Sequence, residues 1–98
     1  MIRIGRWRGR DVVVDNRSVE KIERHGLSID DVKWVLSKPS SIYFNTRTNR
    51  RIVVRLKNGE GIIVVLDIYN DKAYVVTAWY ASEARDLVKR RRKSGRWI

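Results

Sequence analysis

Residues 62–68, Ile-Ile-Val-Val-Leu-Asp-Ile, place apolar side chains at both parities of an extended chain. A strand turns successive side chains to opposite faces, so this run must be covered on both sides and reads as a central strand. Its neighbours in sequence supply the flanks. Ile52, Val54 and Leu56 alternate with Arg51, Val53 and Arg55, and residues 73–79 form another strand-like stretch. Asn58-Gly59 joins the first two segments, and both residues tolerate the positive φ of a tight hairpin. Asn70-Asp71 marks the next turn. Upstream, Ile42 and Phe44 alternate with Tyr43 and Asn45 after Pro39. Four strands in succession predict an antiparallel meander.

The first forty residues read differently. Ile2 and Ile4 flank Arg3, Gly9 supplies a turn, and Val12, Val13 and Val14 follow, which predicts a hairpin. Asp15 or Asn16 suits a helix N-cap, Val19 and Ile22 lie three apart, and Gly26 stops the helix. Ser28 with Asp31 approximates a capping box for a second helix striped by Ile29, Val32, Val35 and Leu36. About two residues join these helices, which are expected to pack as a pair. A last helix starts near Ser82 and enters a basic end. The expected architecture is α+β: an N-terminal β-hairpin, two short helices, a four-strand antiparallel sheet and a C-terminal basic helix, with the helices on one sheet face. Residues 1–98 read as one domain without repeats or an internal linker.

The chain carries a net charge of +11, unevenly distributed. Residues 1–10 contribute +4, residues 47–57 contribute +5 and residues 81–98 contribute +5, while the remainder sums to −3. The excess therefore lies in basic N-terminal (1–10) and C-terminal (89–98) segments and one central stretch, a pattern that suits a polyanion, above all nucleic acid. A solvated, highly charged surface is the plainer alternative. The absence of Cys removes disulfides, thiol nucleophiles and thiolate metal sites. With one His and no clustered acids, neither a metal site nor a cofactor is expected. No apolar run reaches the roughly 20 residues of a membrane span, and Met1–Arg10 has no apolar stretch after its charges, so a cytoplasmic location is expected.

Few side chains suit chemistry. Histidine is the side-chain type that ordinarily exchanges a proton near neutral pH, and His25 is the only one. It would act beside a phosphate or simply favour the helix C-terminus. Arg51 and Arg55 share a strand face, where they would grip phosphates or form a solvated surface. Trp79 and Tyr80, at the end of the last strand, suit either the core or stacking on a base. Tyr74 is the first choice among the tyrosines for the core. Trp7 and Trp97 lie inside the basic tails, and each is expected to fold back onto the body.

The run Val14-Asp-Asn-Arg-Ser-Val-Glu-Lys-Ile-Glu-Arg-His-Gly-Leu-Ser28 resembles the opening of the BrnT toxins, W-D-x-x-N-x-x-K-I-x-x-H-G-[VI]-S, with Asp15, Lys21, Ile22, His25, Gly26 and Ser28 at matching spacing. Residues 75–82, Val-Val-Thr-Ala-Trp-Tyr-Ala-Ser, are similar to that family's closing I-S-A-R-x-A-T segment. The resemblance covers about residues 13–93. Val14 and Ser18 depart from its Trp and Asn, Trp79 stands where its Arg is usual, and Arg85 falls near its Glu.

BrnT toxins belong to the RelE-like, barnase-like ribonucleases. The resemblance therefore implies a RelE-like fold and a toxin that cuts RNA without a metal. In that chemistry the 2′-hydroxyl attacks the adjacent phosphate, a base takes its proton, cations stabilise the phosphorane and an acid protonates the leaving oxygen. His25 or Lys21 would supply acid–base or phosphate contact, Arg51 and Arg55 charge, with Tyr80 a further candidate. Arg47, Arg50, Arg85, Trp79, Arg90, Arg91 and Arg92 would hold nucleic acid. The implied partners are RNA and a ribbon-helix-helix antitoxin, with a homodimer paired through a strand edge as a further expectation. Two other readings stay open: a non-catalytic nucleic-acid-binding protein of the same fold, and a module docking an acidic protein.

Overall fold

A computed structural model describes residues 1–98 as β1 (Ile2–Trp7), β2 (Arg10–Val14), α1 (Asn16–Arg24), α2 (Ile29–Ser37), β3 (Ser41–Phe44), β4 (Arg51–Lys57), β5 (Glu60–Tyr69), β6 (Lys72–Ala81) and α3 (Ala84–Lys93). The class is α+β, as expected. The sheet is larger than the expected meander: six strands in the order β1-β2-β6-β5-β4-β3. β3 to β6 are antiparallel neighbours, but β2 runs parallel to β6 through Asp11–Val13 against Lys72–Tyr74. The N-terminal hairpin is thus part of the sheet, which is mixed rather than purely antiparallel. The physical reason lies in Val12, Val13 and Val14, all at most 5% exposed. Three consecutive apolar residues need cover on both faces, and an isolated hairpin cannot provide it.

The tight turns follow their residues. Asn58 and Gly59 both take positive φ (56° and 83°), as the hairpin signal requires. Asp15 caps α1, its carboxylate accepting from Ser18 N at 2.8 Å while Ser18 Oγ accepts from Asp15 N at 3.0 Å. Ser28 and Asp31 form the same reciprocal box at α2.

The helices do not share one face. Val53, Val64, Leu66, Val75 and Ala78 pack with Ile22 of α1 and with Val32 and Val35 of α2. The alternate residues Ile52, Ile63 and Val65 pack with Val88 of α3 and with Trp97. Alternate strand residues point to opposite faces, so α3 and the C-terminal segment cover the face opposite α1 and α2. Nor do α1 and α2 pack chiefly against each other: α1 lies over β6, and α2 over β1, β4 and β5. Both tail tryptophans fold back as expected, Trp7 to 7% and Trp97 to 3% exposure. No helix is long and apolar enough to cross a membrane.

Gly61 shows how closely α3 approaches the sheet. A Cβ placed there would sit 2.7 Å from the Arg55 carbonyl oxygen and 3.1 Å from Ala84 Cβ, at the start of α3. Gly95, just beyond the α3 C-cap Ser94, takes φ +76° and reverses the chain. Residues 96–98 then run back along β3. Phe44 and Ile98 exchange backbone hydrogen bonds at 3.0 Å in each direction, and Trp97 stacks on Tyr43 with ring centroids 5.9 Å apart.

Candidate nucleic-acid interface

The functional side chains gather where β6 loses its neighbour. β2 pairs with β6 only as far as Tyr74, so the segment up to Ala81 has no strand on that side. The same segment carries a β-bulge. Val65 faces Thr77 and Leu66 faces Val75, leaving Val76 as the extra residue. A bulge turns a strand out of register and re-aims its side chains.

The C-terminus of α1 sits against this edge. His25 is its C-cap, and Gly26 at φ +76° ends the helix. His25 Nδ1 lies 2.9 Å from the Ala78 carbonyl oxygen. A carbonyl can only accept, so Nδ1 must carry the proton and donate, which leaves Nε2 of the neutral ring as the free acceptor. The imidazole is thereby anchored by one nitrogen and available through the other. Lys21, one helical turn earlier, shares its face. Lys21, Arg24, His25 and Thr77 alone line an open cavity of about 360 Å³.

Two more cavities adjoin it. One of about 200 Å³, lined by Asp15, Arg17, Ser18, Lys21, Tyr74 and Val76, shares Lys21 with the first. Tyr74 is half-buried here, not a core residue, and its hydroxyl donates to the Asp15 carboxylate. That hydrogen bond, with the Ser18 backbone N–H second, holds the Asp15 carboxyl below its ordinary range, and the carboxylate holds the Tyr74 phenol above its own. The other cavity, also about 200 Å³, lies on the α3 face and shares Thr77 and Val76 with its neighbours. Arg50, Arg91, Arg96, Asn45 and Trp79 are among its lining residues. The three cavities thus wrap around the bulge at Val76–Thr77.

The remaining expected residues lie elsewhere. Arg51 and Arg55 do share a face, but on β4, which β5 separates from β6. That places them two strand spacings, roughly 10 Å, from the edge. Arg51 lies over the Phe44 ring at 4.8 Å, and Arg55 over the Trp34 ring at 4.0 Å. Tyr80 donates to the Glu60 carboxylate, which holds its phenol above its ordinary range. It lines a separate cavity with Trp34 and Lys57. Arg47 is exposed in the turn before β4. On α3, Arg85 and Arg90 are exposed, and Arg92 lies 5.8 Å from the Tyr43 ring.

The N-terminal cations are partly committed. Arg3 pairs with Asp11 at 2.9 Å, Arg6 approaches the same carboxylate at 3.6 Å, and Arg8 lies over the Trp7 ring. By contrast, no cation around the bulge forms a salt bridge. Thr77, Asn45 and Arg96 escape a sequence reading, because only the bulge and the reversal at Gly95 bring them together, whereas Arg24 follows from its place beside His25 on α1. Gly95 itself, next to a basic helix end, is the one local signal of that reversal. No protein-family model matches the chain, and no curated protein or solved structure is significantly similar to it.

Proposed function

We propose that this chain binds RNA along the free edge of β6 and cleaves it without a metal, as the toxin of a type II toxin–antitoxin pair. The observation that supports cleavage is the anchored imidazole: His25 Nδ1 is engaged by Ala78 O, and Nε2 is free beside Lys21 and Arg24. Nε2 takes the proton of the 2′-hydroxyl as that oxygen attacks phosphorus. The imidazolium so formed returns the proton to the leaving 5′-oxygen. Charge on the phosphorane then falls to Lys21 and Arg24 rather than to Arg51 and Arg55, and the acid is His25 rather than Tyr80. The element order, a hairpin followed by two helices, a meander and a basic helix, supports the RelE-like assignment. A ribbon-helix-helix antitoxin and a cytoplasmic setting belong to the same reading.

The test is direct. Purified protein should cut RNA in the presence of excess chelator, fail on a substrate with 2′-deoxyribose at the cut site, and lose about 10²-fold or more in rate as His25→Ala. Cleavage that strictly needs Mg²⁺ overturns the mechanism. One observation favours a second reading, RNA binding without turnover: Arg51 and Arg55, the charges that the toxin resemblance assigns to chemistry, lie away from His25. Tight RNA binding with no cleavage in any condition selects that reading.

A further inference from the structure

The cavity on the α3 face has features that RNA cleavage at His25 does not use. Arginines line it from three separate segments: Arg50 before β4, Arg91 in α3 and Arg96 beyond Gly95. No Asp or Glu lines it. Two of its lining residues carry a polar atom that is buried without any hydrogen-bond partner, Thr77 Oγ1 and Arg96 Nε. Buried donors are ordinarily paired, and leaving a charged one unmade is costly. Like charges gathered without a counter-ion add to that cost. Arg91, then burial, then Arg47 hold the Arg96 guanidinium below its ordinary range.

The fold maintains this arrangement at several points. Thr46 Oγ1 donates to the carbonyl of Gly95 at 3.0 Å and Thr46 N donates to that of Arg96 at 2.8 Å, while Arg96 N donates to the Arg91 carbonyl at 3.0 Å. Arg96 is therefore fixed by its backbone, and its unsatisfied Nε follows from where the chain puts it. A tetrahedral oxyanion answers each feature at once. It neutralises the guanidiniums, fits planar donors that converge from several directions, and, once a small side-chain shift uncovers them, accepts from Arg96 Nε and Thr77 Oγ1.

We propose that the pocket formed by Arg50, Arg91, Arg96 and Thr77 is a phosphate-binding site, distinct from the His25 cavity and on the opposite side of the β6 bulge. Its phosphate comes either from a terminal monoester or from an internal phosphodiester of RNA. Asn45 and Trp79 at its wall are placed to meet the attached nucleoside. Because the site needs no turnover, it can fail while RNA cleavage stands, and the reverse.

The experiment titrates the protein with inorganic phosphate against chloride at matched ionic strength. Thermal unfolding and the NMR signal of the Arg96 Nε–H group are followed together. Wild type should gain melting temperature with phosphate beyond chloride, and the Nε–H signal should move saturably. Arg96→Met and Arg50→Met, which keep much of the apolar stem, should weaken the response about tenfold or more. If either variant fails to fold, the Nε–H signal of the wild type decides alone. No phosphate-specific movement of that signal, or an undiminished response in a folded Arg96→Met protein, overturns the site. Two uncleavable 2′-O-methyl oligonucleotides, with and without a 5′-phosphate, then separate the sources. Tighter binding of the phosphorylated one, lost in Arg96→Met, assigns a terminal monoester, whereas equal binding weakened by the same substitution assigns an internal phosphodiester. Oligonucleotide affinity unaffected by Arg96→Met overturns the RNA source.

Discussion

Arg55 lies over the ring of Trp34, 4.0 Å from its centroid, and donates from Nη1 to the carbonyl of that same residue at 2.7 Å. α2 has no basic residue in its last turn, so the cation that its C-terminal carbonyls favour arrives from β4. Arg55→Ala should cost about 1–2 kcal/mol in urea unfolding, the sum of a stacked cation and a helix-end charge. Arg55→Lys should recover only part of it, because an ammonium group cannot lie flat on the indole and reach the carbonyl together. A stability equal to wild type in Arg55→Ala would show that the contact is incidental.

Gly61 tests the seating of α3. The nearest atom to an added Cβ is backbone, the Arg55 carbonyl oxygen at 2.7 Å, with Leu56 Cδ2 at 2.9 Å and Ala84 Cβ at 3.1 Å. Leu56 can turn aside but the carbonyl and Ala84 cannot, so Gly61→Ala should destabilise by about 1–3 kcal/mol through overpacking. Gly26→Ala meets no neighbour within 4 Å, and its penalty comes only from the positive φ. Chemical denaturation of both variants separates a steric cost from a conformational one.

Tyr74 and Asp15 link the α1 cap to pH. The Asp15 carboxyl is depressed from 3.8, so its contribution is present above that value and fades as acid titrates the folded protein. The Tyr74 phenol is raised from 10.0, so its contribution is complete below that value and fades as pH climbs beyond it. Tyr74→Phe should therefore flatten both limbs of a stability-versus-pH curve, and melting temperatures from strongly acidic to strongly basic pH measure it. An acid limb unchanged by the substitution would leave the Ser18 bonds and the Arg17 backbone N–H as the cause of the Asp15 shift.

Local chemistry made part of this molecule readable in advance. Asn58-Gly59, the Ser28–Asp31 box and the Asp15 cap act over four residues or fewer, so neighbouring residue types decide them. His25 and Lys21 share a helix face by spacing alone. The β2–β6 pairing joins residues about sixty positions apart, and only the unmet need of Val12–Val14 for two-sided cover hints at it. The arginine pocket is less legible still. It depends on one extra residue in β6 and one glycine after α3, and neither changes the hydrophobic pattern around it.

The cations beside His25 can be weighed by salt. If Lys21 and Arg24 each hold a phosphate of single-stranded RNA, removing both should lower the slope of log affinity against log salt by about 1.4. The double alanine variant, measured on an uncleavable 2′-O-methyl RNA, gives this value free of turnover. A slope equal to wild type would place the RNA elsewhere than the His25 cavity.

Thr77 carries the sharpest opposition between stability and binding. Its hydroxyl is buried and unpaired, so Thr77→Val removes a polar group that the ligand-free protein does not satisfy, at nearly constant volume. Valine also suits an extended strand at least as well as threonine. The variant should unfold about 1 kcal/mol later than wild type in the absence of phosphate. The same change deletes a neutral donor from the lining of the arginine pocket, so phosphate should stabilise the variant less than it stabilises wild type. A gain without ligand and a deficit with it are opposite in sign, and a single pair of melting curves, with and without phosphate, reads both. Loss of stability in both conditions would mean that the hydroxyl serves the fold and not a ligand.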